Sequence, residues 1–415
     1  MSPQPYPTTV FVLGTERNIG KTVTCMGIIS KLLSPEHGYA IGDIGYLKPV
    51  GQQTVKVVNM KGVTLDVDKD AVLLTTLLNV ERTDYADLSP VVWRGGSTAA
   101  FIDEAAAGDP GQCREALLAK IREAYDHVAT GRRIVIVEGT GQPGVGSVAG
   151  ISNADVINTL RAMGVPLSVI LIAPGGIGNT IDEIFPYLMT LDHVGCKLDG
   201  LIINGVIPSK MDKVRSYLET YYTRVFPHLY GQQLTSQKAP PILGFVPIID
   251  ELRLPSMRLA ADTLAEEPDN ETKIIAPTDF SQACQLIRSL KVISLDFGYE
   301  SFIKPGDAVV VGVNANDAIL SMLLLHERLS RHHGMGLSGL ILSCCSMGGL
   351  SQQIRDLIGS GDLPTITLNR DSAEIVQRIE NMTVKIQPYD AAKKELIAQA
   401  YREYLTLWPQ LQDTH

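Results

Sequence analysis

The chain has 415 residues, 45% of them hydrophobic and 20% charged. At roughly 100–200 residues per domain this predicts two to three domains with sizeable cores and rules out a disordered chain. The 36 Lys+Arg against 45 Asp+Glu leave a net charge of −9, which argues against nucleic-acid binding through bulk positive charge but not against phosphate ligands held by a few local donors.

The six cysteines form no disulfide framework and show no zinc spacing; the adjacent Cys344 and Cys345 read as small apolar fillers at a strand end. No apolar run reaches the roughly 20 residues of a membrane helix. The opening MSPQPYP lacks the plan of a signal peptide. The expectation is a soluble, cytoplasmic protein.

In chain order, the first half alternates apolar, β-branched runs with amphipathic stretches. Strands are predicted at Thr8–Gly14, Ile44–Val50, Arg133–Gly139, Pro166–Ala173, Leu198–Gly205 and Ile242–Pro247. Continuous rather than alternating hydrophobicity suits strands buried on both faces of a parallel sheet. Helices are predicted at Thr22–Leu33, Gln112–Thr130, Asn153–Met163, Thr180–Leu191 and Met211–Val225. This rhythm predicts a doubly wound α/β domain.

The acidic stretch Leu264–Lys273 reads as a linker. A second α/β set follows, with strands at Ala308–Val313, Leu337–Ser343 and Thr365–Leu368. Its helices are expected at Ala315–Arg331, Leu350–Gly359 and Ser372–Arg378, with a closing helix at Ala391–Leu407. The expected division is 1–263, a linker over 264–273, a smaller domain over 274–390, and a helix and tail over 391–415.

The strongest motif is Gly14-Thr-Glu-Arg-Asn-Ile-Gly20-Lys21-Thr22. It follows a predicted strand and opens a predicted helix, the setting of a phosphate-binding P-loop. Glycines let backbone N–H groups converge on phosphate, and the helix N-terminus adds partial positive charge. Lys21 would reach the β/γ-phosphates and Thr22 would offer its hydroxyl to Mg²⁺. The loop is one residue longer than the plain GxxxxGK[ST] form.

Around it stand further candidates. Glu138 ends a buried strand, where an unpaired carboxylate is expensive, and so reads as a metal ligand at the carboxyl edge of the sheet. Asp70 reads equally as a second metal ligand or as a helix cap. Lys48, among apolar neighbours, reads either as an anion-neutralising group or as a lysine reaching out from a sheet edge. Gly139–Gly150 (GTGQPGVGSVAG) is a glycine-rich loop for close backbone approach or a plain connector. Asn204 reads as a base-edge contact or a turn residue. Gly175-Gly176-Ile177-Gly178 lacks the rest of a dinucleotide fingerprint and reads as backbone geometry.

Taken together, residues 8–260 resemble dethiobiotin synthetase and the related P-loop domain at the N-terminus of long bacterial phosphate acetyltransferases. The motifs that carry the resemblance are GTERNIGKTVT (Gly14–Thr24), YLKPV (Tyr46–Val50), KDA (Lys69–Ala71), VEGTG (Val137–Gly141), IING (Ile202–Gly205) and GFVP (Gly244–Pro247). The longer loop is that family's form. The resemblance implies ATP and Mg²⁺ as cofactors. It places nucleotide contacts at Thr15, Asn18, Ile19, Gly20, Lys21, Thr22, Val23, Asn204 and Pro247. It places the metal at Thr22, Asp70 and Glu138, and substrate contacts at Lys48, Thr140 and Gly141. Lys21 and Lys48 are the implied catalytic pair, and a homodimer or higher homo-oligomer is implied.

Residues 274–388 resemble the DRTGG domain of the same acetyltransferases through Lys304–Gly312, Asn316-Asp317-Ala318 and Ile379–Asp390, although the namesake residues are absent. With 415 residues, an acyltransferase domain is not expected. Pro143–Gly150 follows the acetyltransferase-type loop more than the synthetase, which leaves the acceptor substrate open. Two functions follow as expectations: an ATP- and Mg²⁺-dependent ligase that phosphorylates a carboxylate or carbamate, or a nucleotide-sensing regulator without acyltransferase activity.

Overall fold

A computed structural model of the chain describes residues 6–59, 61–78, 83–142, 144–234, 239–265, 273–276, 283–293, 301–345 and 349–407. It separates into two compact units, 1–249 with 391–415, and 250–390.

The first unit is built on a six-stranded parallel sheet. Its strands are β1 (Thr8–Gly14), β2 (Ile44–Leu47), β3 (Ile134–Glu138), β4 (Leu167–Pro174), β5 (Gly200–Val206) and β6 (Ile242–Pro247), in the order β6-β5-β4-β1-β3-β2. Its principal helices are α1 (Lys21–Leu32), α2 (Lys69–Leu78), α3 (Pro110–Ala129), α4 (Asn153–Ala162) and α5 (Gly178–His193). Both faces of the sheet are buried, as the β-branched runs require. Phe11, Leu13, Val135, Val137, Val169 and Leu171 pack with α3, α4 and α5 in one core. The alternate residues Val10, Val12, Ile136, Ile170 and Ile172 are equally inaccessible. The register sets Val12 beside Glu138 and Gly14 beside Ile172. The loop after β1 therefore opens between two strands whose ends lie alongside it.

Two sequence expectations shift here. The strand expected over Ile44–Val50 stops at Leu47, and Val50–Gly51 forms a separate short pair with Val91–Val92. The break falls at Lys48-Pro49: proline has no N–H for a ladder, and the Lys48 N–H goes to the Leu88 carbonyl instead (2.9 Å). The helix expected over Met211–Val225 is α-helical only to Thr220, then makes a π turn at Tyr221–Val225. An antiparallel hairpin, Thr54–Val58 with Thr64–Asp68, was not anticipated and delivers Asp68 to the start of α2.

The second unit has a five-stranded sheet: β7 (Lys273–Ala276), β8 (Ser289–Ile293), β9 (Asp307–Gly312), β10 (Gly339–Ser343) and β11 (Thr365–Thr367), in the order β7-β11-β10-β9-β8. Four strands run parallel and β7 is antiparallel. Its helices are α6 (Met257–Ala265), α7 (Asn316–His333), α8 (Gln352–Ser360) and α9 (Ser372–Asn381). The α/β class, a parallel doubly wound sheet with a second, smaller α/β unit, is as the sequence predicts.

The division between units falls at Ile249/Asp250 rather than after residue 263. Helix α6 packs its Met257, Ala260, Ala261 and Leu264 against Val310, Ile341 and Ile366 of the second sheet. Residues 266–272 of the expected linker lie outside the described residues. The closing helix, α10 (Ala391–Tyr404), belongs to the first unit. The Tyr401 ring lies on Gly27 of α1, where an added Cβ would come within 2.1 Å of it. Its hydroxyl pairs with Thr24 Oγ1 at 2.6 Å. The Thr406 N–H then donates to Leu243 on the edge strand β6 (2.8 Å).

Candidate functional site

The loop Thr15–Gly20 lies between β1 and α1. Asn18 has φ +61° and Gly20 φ +98°; these left-handed turns give such a loop its anion-cradling curvature. Gly20 has a second constraint. A Cβ there would lie 2.6 Å from Asn204 Nδ2, and that amide donates to the Ile19 carbonyl at 2.8 Å. Asn204, on β5, is thus fastened to the phosphate loop; it pairs in register with Val246, one residue before Pro247. Thr15 is held from α5: its hydroxyl donates to Glu183 Oε2 (3.0 Å), and its carbonyl accepts from the Tyr187 hydroxyl. Ile19 is buried, and Val23 is half-buried in the first turn of α1.

Lys21 folds back into the loop and donates to the Glu16 carbonyl at 3.1 Å. Burial pulls its pKa down, opposed by the charge of Glu138. One residue on, Thr22 Oγ1 donates to Glu138 Oε1 (2.9 Å), and the Tyr46 hydroxyl donates to Glu138 Oε2 (2.8 Å). Burial raises the Glu138 pKa, Lys48 opposes that and Asp70 adds to it.

Lys48 is the centre of the cluster. It is buried, and its ammonium meets three carboxylates: Asp68 Oδ1 at 3.0 Å, Glu138 Oε1 at 3.3 Å and Asp70 Oδ2 in a short contact. Burial alone would lower its pKa; the charges of Glu138, Asp70 and Asp68 outweigh this and raise it. A lysine reaching out of a sheet edge to solvent is therefore not what the fold holds. Asp70 likewise does more than begin a helix, because its carboxylate is spent on Lys48.

Asp68 and Tyr46 were not singled out from the sequence. Asp68 is 1% exposed. Its Oδ2 accepts from the Gln52 and Gln53 N–H groups (2.8 and 3.2 Å), and its Oδ1 accepts from the Asp70 N–H (3.0 Å) as well as Lys48. The acidic run Asp66–Asp70 was the available signal. Thr140 and Gly141 stand apart from this cluster. Thr140 bonds to the Val50 carbonyl and exchanges two bonds with Asn153, and Gly141 makes a turn with φ +56°. Residue 143 of the glycine-rich loop lies outside the described residues.

Among the described residues, no three His, Cys, Asp or Glu side chains converge as a metal cluster. The carboxylates converge on an ammonium instead. The donors still fit Mg²⁺ in a nucleotide site. That ion prefers hard oxygens, keeps several waters, and takes one or two protein groups beside the phosphates. Thr22 Oγ1, Glu138 Oε1 and the partly exposed Asp70 are such donors.

A glycine-turned loop between a central parallel strand and a helix, followed by Lys-Thr and faced by a buried carboxylate, defines a P-loop nucleotide-binding domain. The chain belongs to the AAA domain family AAA_26, whose model matches residues 8–256. It is 25% identical over 198 residues to the ATP-dependent dethiobiotin synthetase BioD of two Clostridium kluyveri strains, a match covering 47% of this chain and 73% of each relative. Among solved structures it is similar to a partition protein at 14% identity, TM-score 0.27, over 53% of this chain and 61% of that one. No helix among the described residues is long and apolar enough to cross a membrane.

Proposed function

We propose that the first unit binds ATP and Mg²⁺ and transfers the γ-phosphoryl group to a carboxylate or carbamate. The observation that carries this is Lys48, a buried lysine held by Asp68, Asp70 and Glu138 beside the phosphate loop. A buried ammonium whose carboxylates can pass to Mg²⁺ becomes available to stabilise negative charge developing on a transferring phosphoryl group.

In this reading Lys21 and the loop amides of Thr15–Val23 hold the phosphates. Asn204 and the backbone at Pro247 hold the base. Thr22, Glu138 and Asp70 hold Mg²⁺, which when bound supplies charge neutralisation at the phosphates. Lys48 turns from its carboxylates toward the acceptor's oxyanion as phosphate and substrate charge enter, and Thr140 and Gly141 border that acceptor. An acceptor oxygen forms a bond to the γ-phosphorus as the β,γ-bridging bond breaks. The resulting mixed anhydride is open to attack by an amine, with phosphate leaving. The chain acts as a homodimer or higher homo-oligomer.

The test is phosphate release from ATP and Mg²⁺ with bicarbonate and diaminopelargonate. Release stimulated by the diamine and abolished in Lys48→Ala is the expected result. Nucleotide binding that is lost in Lys21→Ala, with no stimulation by the acceptor, would overturn the transferase reading.

That second outcome would favour a nucleotide-sensing regulator, and one observation speaks for it. The chain leaves the second unit at Asp390 and returns as α10, which seats Tyr401 on the helix that follows the phosphate loop. The DRTGG-like reading of residues 274–390, and the relation to the N-terminal part of phosphate acetyltransferases, belong to this alternative.

A further inference from the structure

The two faces of the second sheet are covered by different helices. Val309, Val311, Leu340 and Leu342 pack with α7 and α8 in one core. The alternate residues Val310, Ile341, Ile366 and Leu368 pack with α6 and α9 in another. The chain therefore leaves β10 toward one face, into α8, and leaves the neighbouring β11 toward the other, into α9. Adjacent parallel strands whose connections diverge in this way leave a crevice at their carboxyl ends, and open α/β sheets bind ligands there.

Two serines, a cysteine and an arginine gather at that crevice. Ser343, 1% exposed at the end of β10, shares a hydrogen bond with Ser372 at the start of α9 (Oγ–Oγ 2.9 Å). Cys344 has φ +57°, and its N–H donates to the Arg370 carbonyl at 2.8 Å. Among the described residues only Asn18, inside the phosphate loop of the first unit, is another non-glycine residue with positive φ. Such strain in a side chain that does not favour it persists where the surroundings enforce it, and it clusters at ligand sites. Arg370 and Arg378 share the single carboxylate of Glu374. Asp371 is committed to capping α9 through the Glu374 N–H. The crevice thus places two joined hydroxyls beside the Arg370 guanidinium.

We propose that the second unit carries its own ligand site at the β10–β11 carboxyl edge, formed by Ser343, Cys344, Arg370 and Ser372, which takes the oxyanion group of a small metabolite. A planar guanidinium fork with hydroxyl donors suits phosphate and carboxylate alike. This site is separate from the P-loop and does not depend on the reading of the first unit.

Cys344 and Cys345 are half-buried thiols at the site, neither of them in a disulfide, so they report its occupancy. The test is iodoacetamide alkylation of these two cysteines in the full chain, followed by peptide mass spectrometry, with AMP, inorganic pyrophosphate or citrate as the probe. Protein with Lys21→Ala is run in parallel. The expected result is a saturable slowing of alkylation at Cys344 or Cys345 by about fivefold or more as access is blocked. It should be equal in the wild type and Lys21→Ala, and absent in Arg370→Gln and Ser372→Ala. Pyrophosphate or AMP acting without citrate would identify a phosphate site, and citrate alone a carboxylate site. Three results would overturn the proposal: no slowing by any probe, slowing that disappears in Lys21→Ala, or slowing that survives in both crevice variants.

Discussion

At the carboxyl edge of the first sheet, Lys21, Lys48, Asp68, Asp70 and Glu138 gather within one buried charge network. At the same edge of the second sheet stand two hydroxyls, a strained cysteine and an arginine–glutamate group. Both sheets bury apolar strands on both faces, so the difference is confined to the edges. Desolvating charge is expensive and does little for stability against an apolar alternative. The first edge gathers three carboxylates around one buried ammonium, whereas the second pairs its arginines locally with Glu374, and the concentration of charge at the first fits the proposed phosphoryl transfer.

The largest expected effect comes from removing the central cation. Lys48→Met leaves three carboxylates facing one another, and denaturant unfolding should show a loss of about 3–5 kcal/mol. Added Mg²⁺ should return part of it, because a divalent ion can occupy the same charge array. Unchanged stability without Mg²⁺ would mean that the carboxylates are solvated and the network is not buried.

Next in size is Lys21→Ala. Losing a charge-assisted bond to phosphate, worth about 1.5–3 kcal/mol, should weaken ATP binding by roughly 10–100-fold. Arg370→Gln in the second unit should leave that affinity unchanged. Equal losses in the two variants would erase the distinction between the edges.

A steric pair follows. Gly27→Ala drives a methyl group into the Tyr401 ring, 2.1 Å from an added Cβ, and overpacking of this kind costs about 1–3 kcal/mol. Gly312→Ala at the end of β9 meets nothing within 4 Å and should move the melting temperature little. Thermal melts of both variants check whether the first unit depends on α10.

The smallest effect is in pH. Burial raises the Glu138 pKa above its ordinary value, so the folded chain holds that proton more tightly than the unfolded chain. As pH rises from the ordinary carboxylate pKa through the raised value, this group's contribution to stability falls. Glu138→Gln should flatten that part of a stability–pH profile. A wild-type profile that rises through this interval and does not respond to the variant would reverse the sign.

Much of this was readable in the chain because it is local. β-branched runs marked β1, β3, β4, β5 and β6 to within about two residues. Gly14–Thr22 declared the phosphate loop, and a carboxylate ending a buried strand marked Glu138. What stayed hidden was pairing across distance. Asp68 looks like one acidic residue in a run, and only the hairpin Thr54–Asp68 brings it to Lys48, twenty positions earlier. Tyr46 reads as a core aromatic until its hydroxyl is seen on Glu138. The closing helix was evident from its amphipathic pattern, but not its partner: Gly27 in α1 makes room for Tyr401, and glycine spacing alone does not name what fills the gap. The break at Lys48-Pro49 was signalled by the proline, and the apolar residues around it masked the signal.

The proposed function requires the nucleotide to be held by the loop of the first unit, Gly14–Thr22. Calorimetric titration of the full chain with ATP in the presence of Mg²⁺ tests this most directly. Saturable binding in the wild type, lost in Lys21→Ala and retained in Arg370→Gln, is the predicted result. Binding of full strength in Lys21→Ala would contradict it.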